Sequence, residues 1–322
     1  MLRQLPTNEE ICCIQRIMDE TKRKNMDNIS RTKAYLKFFQ LHPEISWSFL
    51  ASMVSRNGGW NMCDLQGAWF PLVLTESQRY LLFLAYERAN WFIFHDAYPQ
   101  LLLYHYSTKM QRPMFHLLPF FHVSSFMRTE WDMYWEGRDG KRLMTSLIIN
   151  EQNVIQKQVI EHPFFKSKVF RSLAFYLQDW FHFGAVLFPT LEGKLYGASV
   201  SGFQKVDKRI DLGKRLADIL FAPNLFPMFL KFALKTEHTG SRHDYEQFFR
   251  IRKFRDTPYL RTVYPIVRHY VDEYQDWSKK QKVKKGWYQK IEHKEPILLT
   301  DWYLKKQKQM QAYILMRHIF AE

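Results

Sequence analysis

Residues 75–98, TESQRYLLFLAYERANWFIFHDAY, decide the fold. Thr75 and Gln78 have the spacing of a capping box, in which each side chain takes up a backbone N–H that the first helical turn leaves unpaired. The residues after them place Leu, Phe, Tyr and Trp on every side of a helix drawn at about 100° per residue. Glu87, Arg88, Asn90, His95 and Asp96 are scattered among these apolar groups. A helix with one wet side gathers its polar residues into one stripe. This one is therefore expected to run from Thr75 to about Ala97, buried nearly all round, with Pro99 opening a separate helix to about Lys109. Ionisable groups inside such a helix need partners, because an unpaired buried charge costs several kcal/mol.

The nearest source of partners is RNGGWNMCDLQG, residues 56–67, which offers Arg56, Asn57, Asn61 and Asp64. Gly58 and Gly59 are expected to stop a helix that begins near Ile45, because glycine readily takes the positive φ of a helix end. Asp64 would then cap the next element. Two readings remain open for the set Arg56, Asn57, Asn61, Asp64, Glu87, Arg88, Asn90, His95 and Asp96. They form a structural network between two helices, or they line a ligand or catalytic pocket in which burial tunes an acid, a base and a histidine.

Other helices are expected from about Thr7 to Asp27, Asn28 to Leu41, Ser125 to Glu136, Lys141 to Glu161 and Phe165 to Phe188. After these come Leu212 to Phe221, Pro223 to Thr236, Ser241 to Phe254, Pro258 to Lys280 and Thr300 to Ala321. Pro189 to Phe203, with Gly193, Gly197 and Gly202, reads as a loop or small hairpin. The fold class is all-α, a multi-helix globular protein with one hairpin region near 189–203. A helical core domain at 1–190 and a basic helical part at 191–322 are the expected organisation, and a single domain is the alternative.

Several chemistries fail on the residues. Gly197 and Gly202 have the spacing of the first two P-loop glycines, but Phe203 and Gln204 stand where Lys and Ser/Thr are needed. Gly197-Ala198-Ser199-Val200-Ser201 lacks the second glycine of a nucleophile elbow. Cys12, Cys13 and Cys63 cannot make a disulfide framework, and their low, odd count suits a reducing compartment. No metal site is expected. Asp179 and His182, at i, i+3, are a weak alternative that is loosely similar to the carboxylate-lined di-iron bundles, whose second His-bearing copy is missing here. The start of the chain carries no secretory pattern. A transmembrane helix needs about 18 or more apolar residues, and Gln178, Asp179 and His182 interrupt the best run, Leu173 to Leu191.

The chain has 322 residues, 46% of them hydrophobic and 17% aromatic, with a net charge of +15. Residues 1–200 carry 22 basic and 18 acidic side chains and residues 201–322 carry 25 and 14, so the positive field belongs to the C-terminal part. Its focus is Lys279, Lys280, Lys282, Lys284 and Lys285, flanked by Trp277, Trp287 and Tyr288. Arg250, Arg252, Lys253 and Arg255 add to the field. Lysines attract phosphate without reading bases, and exposed aromatics stack on unpaired ones. A solvated loop anchored by its tryptophans is the plainer account.

RNGGWNMCDLQG (56–67), ERANWFIFHDAYPQLLLYHY (87–106) and FYLQDWFHFGAVLFPTLEGKLYG (175–197) resemble the YppC family of Bacillus, a family of unknown function. The resemblance implies a cytoplasmic protein of spore-forming, Gram-positive bacteria. It implies no activity, cofactor or catalytic residue. The functional expectation therefore rests on the residues: a cytoplasmic helical protein that binds an anionic partner, nucleic acid before a membrane surface. The alternatives are an enzyme with its pocket around Glu87 and Asn57–Asp64, with or without a metal, and a purely structural interaction protein. Cofactor and oligomeric state stay unknown.

Overall fold

In the computed structural model the described residues are 5–169, 185–199, 202, 204–250, 254–271, 273–291 and 297–320. The fold is mostly α, with one small two-stranded sheet. Helix α1 (Asn8–Lys24) starts on a capping box made by Thr7 and Glu10. Asp27 caps α2 (Asn28–Leu41), which packs along α3 (Trp47–Asp64). The central element is α4 (Glu76–Lys109), opened by the Thr75–Gln78 box and touching α1, α2, α3 and α6. Its 34 residues span about 50 Å at roughly 1.5 Å per residue. Helix α5 (Ser125–Gly137) and α6 (Gly140–Ile155) are joined at Arg138, in the left-handed region, and Asp139, which caps α6. A π-type turn follows at Gln156–Ile160, then α7 (Pro163–Lys168). Strands β1 (Ala185–Pro189) and β2 (Leu195–Ser199) pair antiparallel in the expected hairpin region. Helices α8 (Val206–Leu220) and α9 (Phe226–Lys235) come next, and α10 (Thr300–Phe320) is the last, after two single turns of α-helix.

Five local expectations change. Gly58 and Gly59 do not stop α3; they lie inside it. A Cβ on Gly58 would stand 2.9 Å from Asn90 Nδ2, and one on Gly59 would meet Asn28 Oδ1 and lie 2.7 Å from His238 Nε2. The glycines therefore serve close approach of helices, at a cost of about 1 kcal/mol each in helix propensity. Pro99 does not begin a new helix. It removes the N–H that would bond the His95 carbonyl, yet α4 continues because residues 96–104 are all buried and packing holds the helix on both flanks. Of the stretch Phe165 to Phe188, residues to Lys168 are in α7 and Ala185 onward is strand.

The largest change is at Pro258 to Lys280. Among the described residues there, only Leu260–Val263 is α-helical and Trp277–Lys279 makes a single 3-10 turn, while residues 264–271 and 273–276 run as an irregular strap. Pro265 disfavours helix at Tyr264 before it; Tyr264 is extended, donates its hydroxyl to the Met62 carbonyl (2.9 Å) and stacks on Phe83 at 3.7 Å. Within Ser241 to Phe254 the only described helix is His243–Glu246.

Two apolar clusters form the interior. The larger contains Trp47, Trp60, Phe94 and Trp131 and reaches from Ile14 to Tyr303. The smaller surrounds Leu82, Phe83, Ile155 and Val159 and includes Tyr264, Met310 and Ile314. Both draw on residues from either side of position 190. Asp179, His182, Arg252, Lys253 and Phe203 lie outside the described residues, as does most of the run Leu173–Leu191. Among the described residues, no helix is long and apolar enough to cross a membrane, and no group of three or more His, Cys, Asp or Glu is placed to hold a metal ion.

Candidate functional site

The polar residues of α3 and α4 go to several different places. Glu87 accepts from Arg31 Nη2 at 2.5 Å, and both side chains are buried. Arg31, on α2, is a partner that the two segments 56–67 and 75–98 do not contain. Arg56 donates to the carbonyls of Ala233 (2.9 Å) and Thr236 (3.1 Å), satisfying the C-terminal end of α9. Asn57 pairs with Leu187 of β1 as a strand would, donating to its carbonyl at 2.8 Å and accepting from its N–H at 2.7 Å. Asp64 pairs with Arg242, which also meets Asp256 at 3.1 Å. Arg88 donates to the Gln158 carbonyl at 3.0 Å with its guanidinium over the Phe92 ring. Asn90 donates to the Tyr86 carbonyl, one turn back, at 2.9 Å. Most of these contacts tie α3 and α4 to other parts of the fold, and Glu87, Arg56 and Asp64 each reach a different segment.

His95 and Asp96 differ. With Phe92 they form one wall of a cleft of about 270 Å³. The residues after α6, including Lys157 and Glu161, form a second wall, and Phe121, His122 and Ser124 a third. The strap closes it with Tyr274, Gln275, Trp277 and Lys280. The helix read as buried and the lysine run read as anionic contact thus meet in one cleft.

The joint between them is Asn150, on α6. Its Nδ2 donates to Asp96 Oδ1 at 2.5 Å, and its Oδ1 accepts from Ser124 Oγ at 2.8 Å and Trp277 Nε1 at 2.9 Å. Gln100 Nε2 donates to the same Asp96 oxygen at 2.7 Å, and Gln100 Oε1 in turn accepts from Trp131 Nε1 at 2.8 Å. The strap is fixed at the N-terminus of α5, where Asp276 accepts from the Ser125 N–H at 3.0 Å. These bonds use backbone donors that a helix start leaves open.

Burial sets the protonation states. It pushes the Asp96 carboxyl up to about 7, against the opposing bonds from Asn150 and Gln100. It pushes His95 down to about 4, helped by the charge of His122, whose own imidazole burial also lowers. His95 Nε2 lies 3.3 Å from the Tyr274 hydroxyl, and its ring stacks on Trp91. His122, left-handed at φ +59°, stacks on the Tyr274 ring at 3.5 Å. Near neutral pH the cleft therefore holds two largely neutral imidazoles and a carboxyl near its midpoint. Its cations are Lys157 and Lys280, whose ammonium groups both donate to Gln275 Oε1, Lys280 at 3.0 Å. Glu273 lies 3.8 Å from Lys157 in an exposed pair.

The rest of the lysine run divides. Lys284 pairs with Asp207 at 2.8 Å, and Trp287, only 3% exposed, donates to the same carboxylate at 2.6 Å. Trp287 is an anchor, so its ring is not available to stack on a base. Lys279, Lys282 and Lys285 are exposed. The residues missed from the sequence are Lys157, His122, Asn150, Tyr274 and Gln275. Asn150 left one signal, as a polar side chain ending the apolar run LIIN of α6.

Two comparisons place the chain among known proteins. The family described as "Protein of unknown function (DUF2515)" matches residues 23–304. An uncharacterized protein of Bacillus subtilis strain 168, YppC, is 53% identical over 300 residues, covering 93% of each chain. No solved structure matches.

Proposed function

The chain belongs to the DUF2515 family, whose function is unknown, and from the cleft beneath the strap we propose that it binds a small anion bearing a phosphate-like group. One observation carries this reading: Lys157 and Lys280, from separate segments, converge on the single oxygen of Gln275. Two ammonium groups held this close by a neutral acceptor repel each other, and an anion between them relieves that repulsion while taking both as donors. Tyr274 adds a hydroxyl at the same wall. Asp96, half-protonated near pH 7, adds little negative charge below that pH.

The test is calorimetric titration of the purified chain with inorganic pyrophosphate at low salt. Saturable binding is expected, with the paired substitution Lys157→Gln and Lys280→Gln weakening it at least tenfold. Binding of equal strength in the double variant, or none in the parent, overturns the reading.

A second reading, nucleic acid along the outside of the strap, is favoured by the exposed ammonium groups of Lys279, Lys282 and Lys285. It depends on charge alone, since Trp287 is buried and the Trp277 indole is held by Asn150.

A further inference from the structure

A second cavity, of about 220 Å³, lies between α3, α4, α6 and α8, and among the described residues none lines both it and the cleft. Its origin is legible in side-chain size. Ala51 and Gly58 on α3, Ala85 and Ala89 on α4 and Gly213 on α8 all face it. At Gly213 the backbone is pressed close, since a Cβ there would stand 2.6 Å from Ile148 Cγ2. At the alanines there is instead room that larger side chains would fill. The remaining wall is largely aliphatic, from residues such as Leu82, Ile93, Ile155 and Leu216. Well-packed interiors leave few voids larger than a water. An apolar cavity of about 150 Å³ stays dry and takes up benzene, and this one is larger.

The polar end of its wall includes two donors open to a ligand, the Arg31 guanidinium and the Glu151 carboxyl. Arg31 is fully buried; its Nη1 donates to Asn25 and its Nη2 to Glu87, but among the described residues its Nε has no acceptor. Such an orphaned buried donor costs about 1–3 kcal/mol, more when charged. Asn61 also stands on the wall. Glu151 lines the same space, and burial pushes its carboxyl up to about 8 against the opposing bond from Gln152, so that near pH 7 it is mainly an O–H donor.

We propose that this cavity is a binding site for a small, uncharged, mostly apolar molecule that carries one hydrogen-bond acceptor, such as a carbonyl oxygen. The aliphatic walls take the body of the molecule, and its oxygen meets the donors of the polar end. A cation is disfavoured by the Arg31 guanidinium, and a molecule without an acceptor leaves the donors as they were.

Acetophenone and ethylbenzene separate the two halves of the claim, because they share a ring and differ in the carbonyl. In the full chain with methyl-labelled alanine, acetophenone is expected to shift the Ala51, Ala85 and Ala89 methyl resonances. It is expected to bind at least fivefold more tightly than ethylbenzene. Ala89→Leu, which fills the cavity, is expected to abolish both titrations; the measurements on the parent chain decide the matter if that variant does not fold. Absence of shifts at those three methyls overturns the site. Equal affinity for the two probes overturns the acceptor requirement, and with it the ligand class proposed. Neither result bears on pyrophosphate binding at the cleft.

Discussion

The bundle of α2, α3 and α4 and the strap, residues 264–271 and 273–291, both carry polar side chains against apolar surfaces, and they use them in opposite ways. In the bundle the groups are buried and committed to one another. Arg31 meets Glu87, Asn28 donates to the Ser55 carbonyl at 2.8 Å, and His238 reaches Asn28 Oδ1 at 2.7 Å. In the strap Tyr264 and Trp287 are buried anchors, but the charged groups are exposed or open into the cleft: Lys284 and Asp207 are each about half exposed. Sequence alone does not separate the two cases, since a charge among aromatics reads the same in both. What separates them is whether the segment is a helix packed on all sides or a chain laid over a surface.

The sharpest break of this contrast is Glu87→Ala. It leaves the Arg31 guanidinium buried beside an empty site, and removing one partner of a buried ion pair costs about 3–5 kcal/mol. An exposed pair such as Lys284–Asp207 is worth about 0–1 kcal/mol. Urea denaturation of Glu87→Ala beside Lys284→Ala, which removes the exposed pair but leaves the Trp287–Asp207 bond in place, is expected to show that gap. A loss below about 1 kcal/mol for the Glu87 variant would mean that the pair is not a keystone of the bundle.

Asp96 sits where the two regions touch, and pH sharpens the comparison there. Burial raises its carboxyl from 3.8 to about 7. The folded chain therefore keeps a proton that the unfolded chain releases near its lower, unperturbed value. Its contribution to stability is fully present below about pH 4 and is lost as pH rises towards 7. At about 1.36 kcal/mol per unit, the loss is about 4 kcal/mol at most. Asp96→Asn keeps an acceptor for Asn150 and Gln100 but cannot ionise. Between pH 5 and 8.5 the parent is expected to lose more stability than the Asn variant. Parallel declines in the two urea midpoints would remove Asp96 as the cause.

Legibility in the sequence followed the same divide. The Thr75–Gln78 box and the buried state of Glu87 and Asp96 could be read from residues close together in the chain, whereas the burial of α4 is continuous only over residues 96–104 and its first turns reach solvent, with Tyr80 exposed. The Gly58–Gly59 pair was misread because a glycine signals either a helix end or a close approach, and the deciding atoms belong to Asn28, Asn90 and His238. The strap was misread for a related reason. Val263, Val267 and Val271 recur every fourth residue as on a helix face, and all three do pack on the smaller apolar cluster. Spacing alone does not reveal that Pro265 and the docking of Tyr264 make the backbone leave the helix to get there. The cleft was therefore visible only as its two halves, His95 with Asp96 and Lys280 with Trp277. Their meeting depends on the path of the strap and on Asn150.

The smallest expected effect on stability belongs to the outer lysines. Lys279, Lys282 and Lys285 are exposed, so replacing all three by Gln is expected to change stability by less than about 0.5 kcal/mol per site. Their effect on association is the informative quantity. If the strap's outer face holds single-stranded nucleic acid, log affinity falls with log salt by about 0.7 for each phosphate neutralised. Three missing ammonium groups then lower the magnitude of the slope by about 2. Fluorescence anisotropy with a labelled single-stranded oligonucleotide at several salt concentrations measures this directly. The helical signal in circular dichroism is expected to stay unchanged. The same triple variant leaves Lys157 and Lys280 in place, so pyrophosphate binding at the cleft is expected to persist at close to parental strength. A slope unaltered by the triple substitution would remove the outer face as a nucleic-acid contact. Loss of both activities together would mean that the exposed lysines act through the field of the whole basic region, which extends over the strap and the cleft alike.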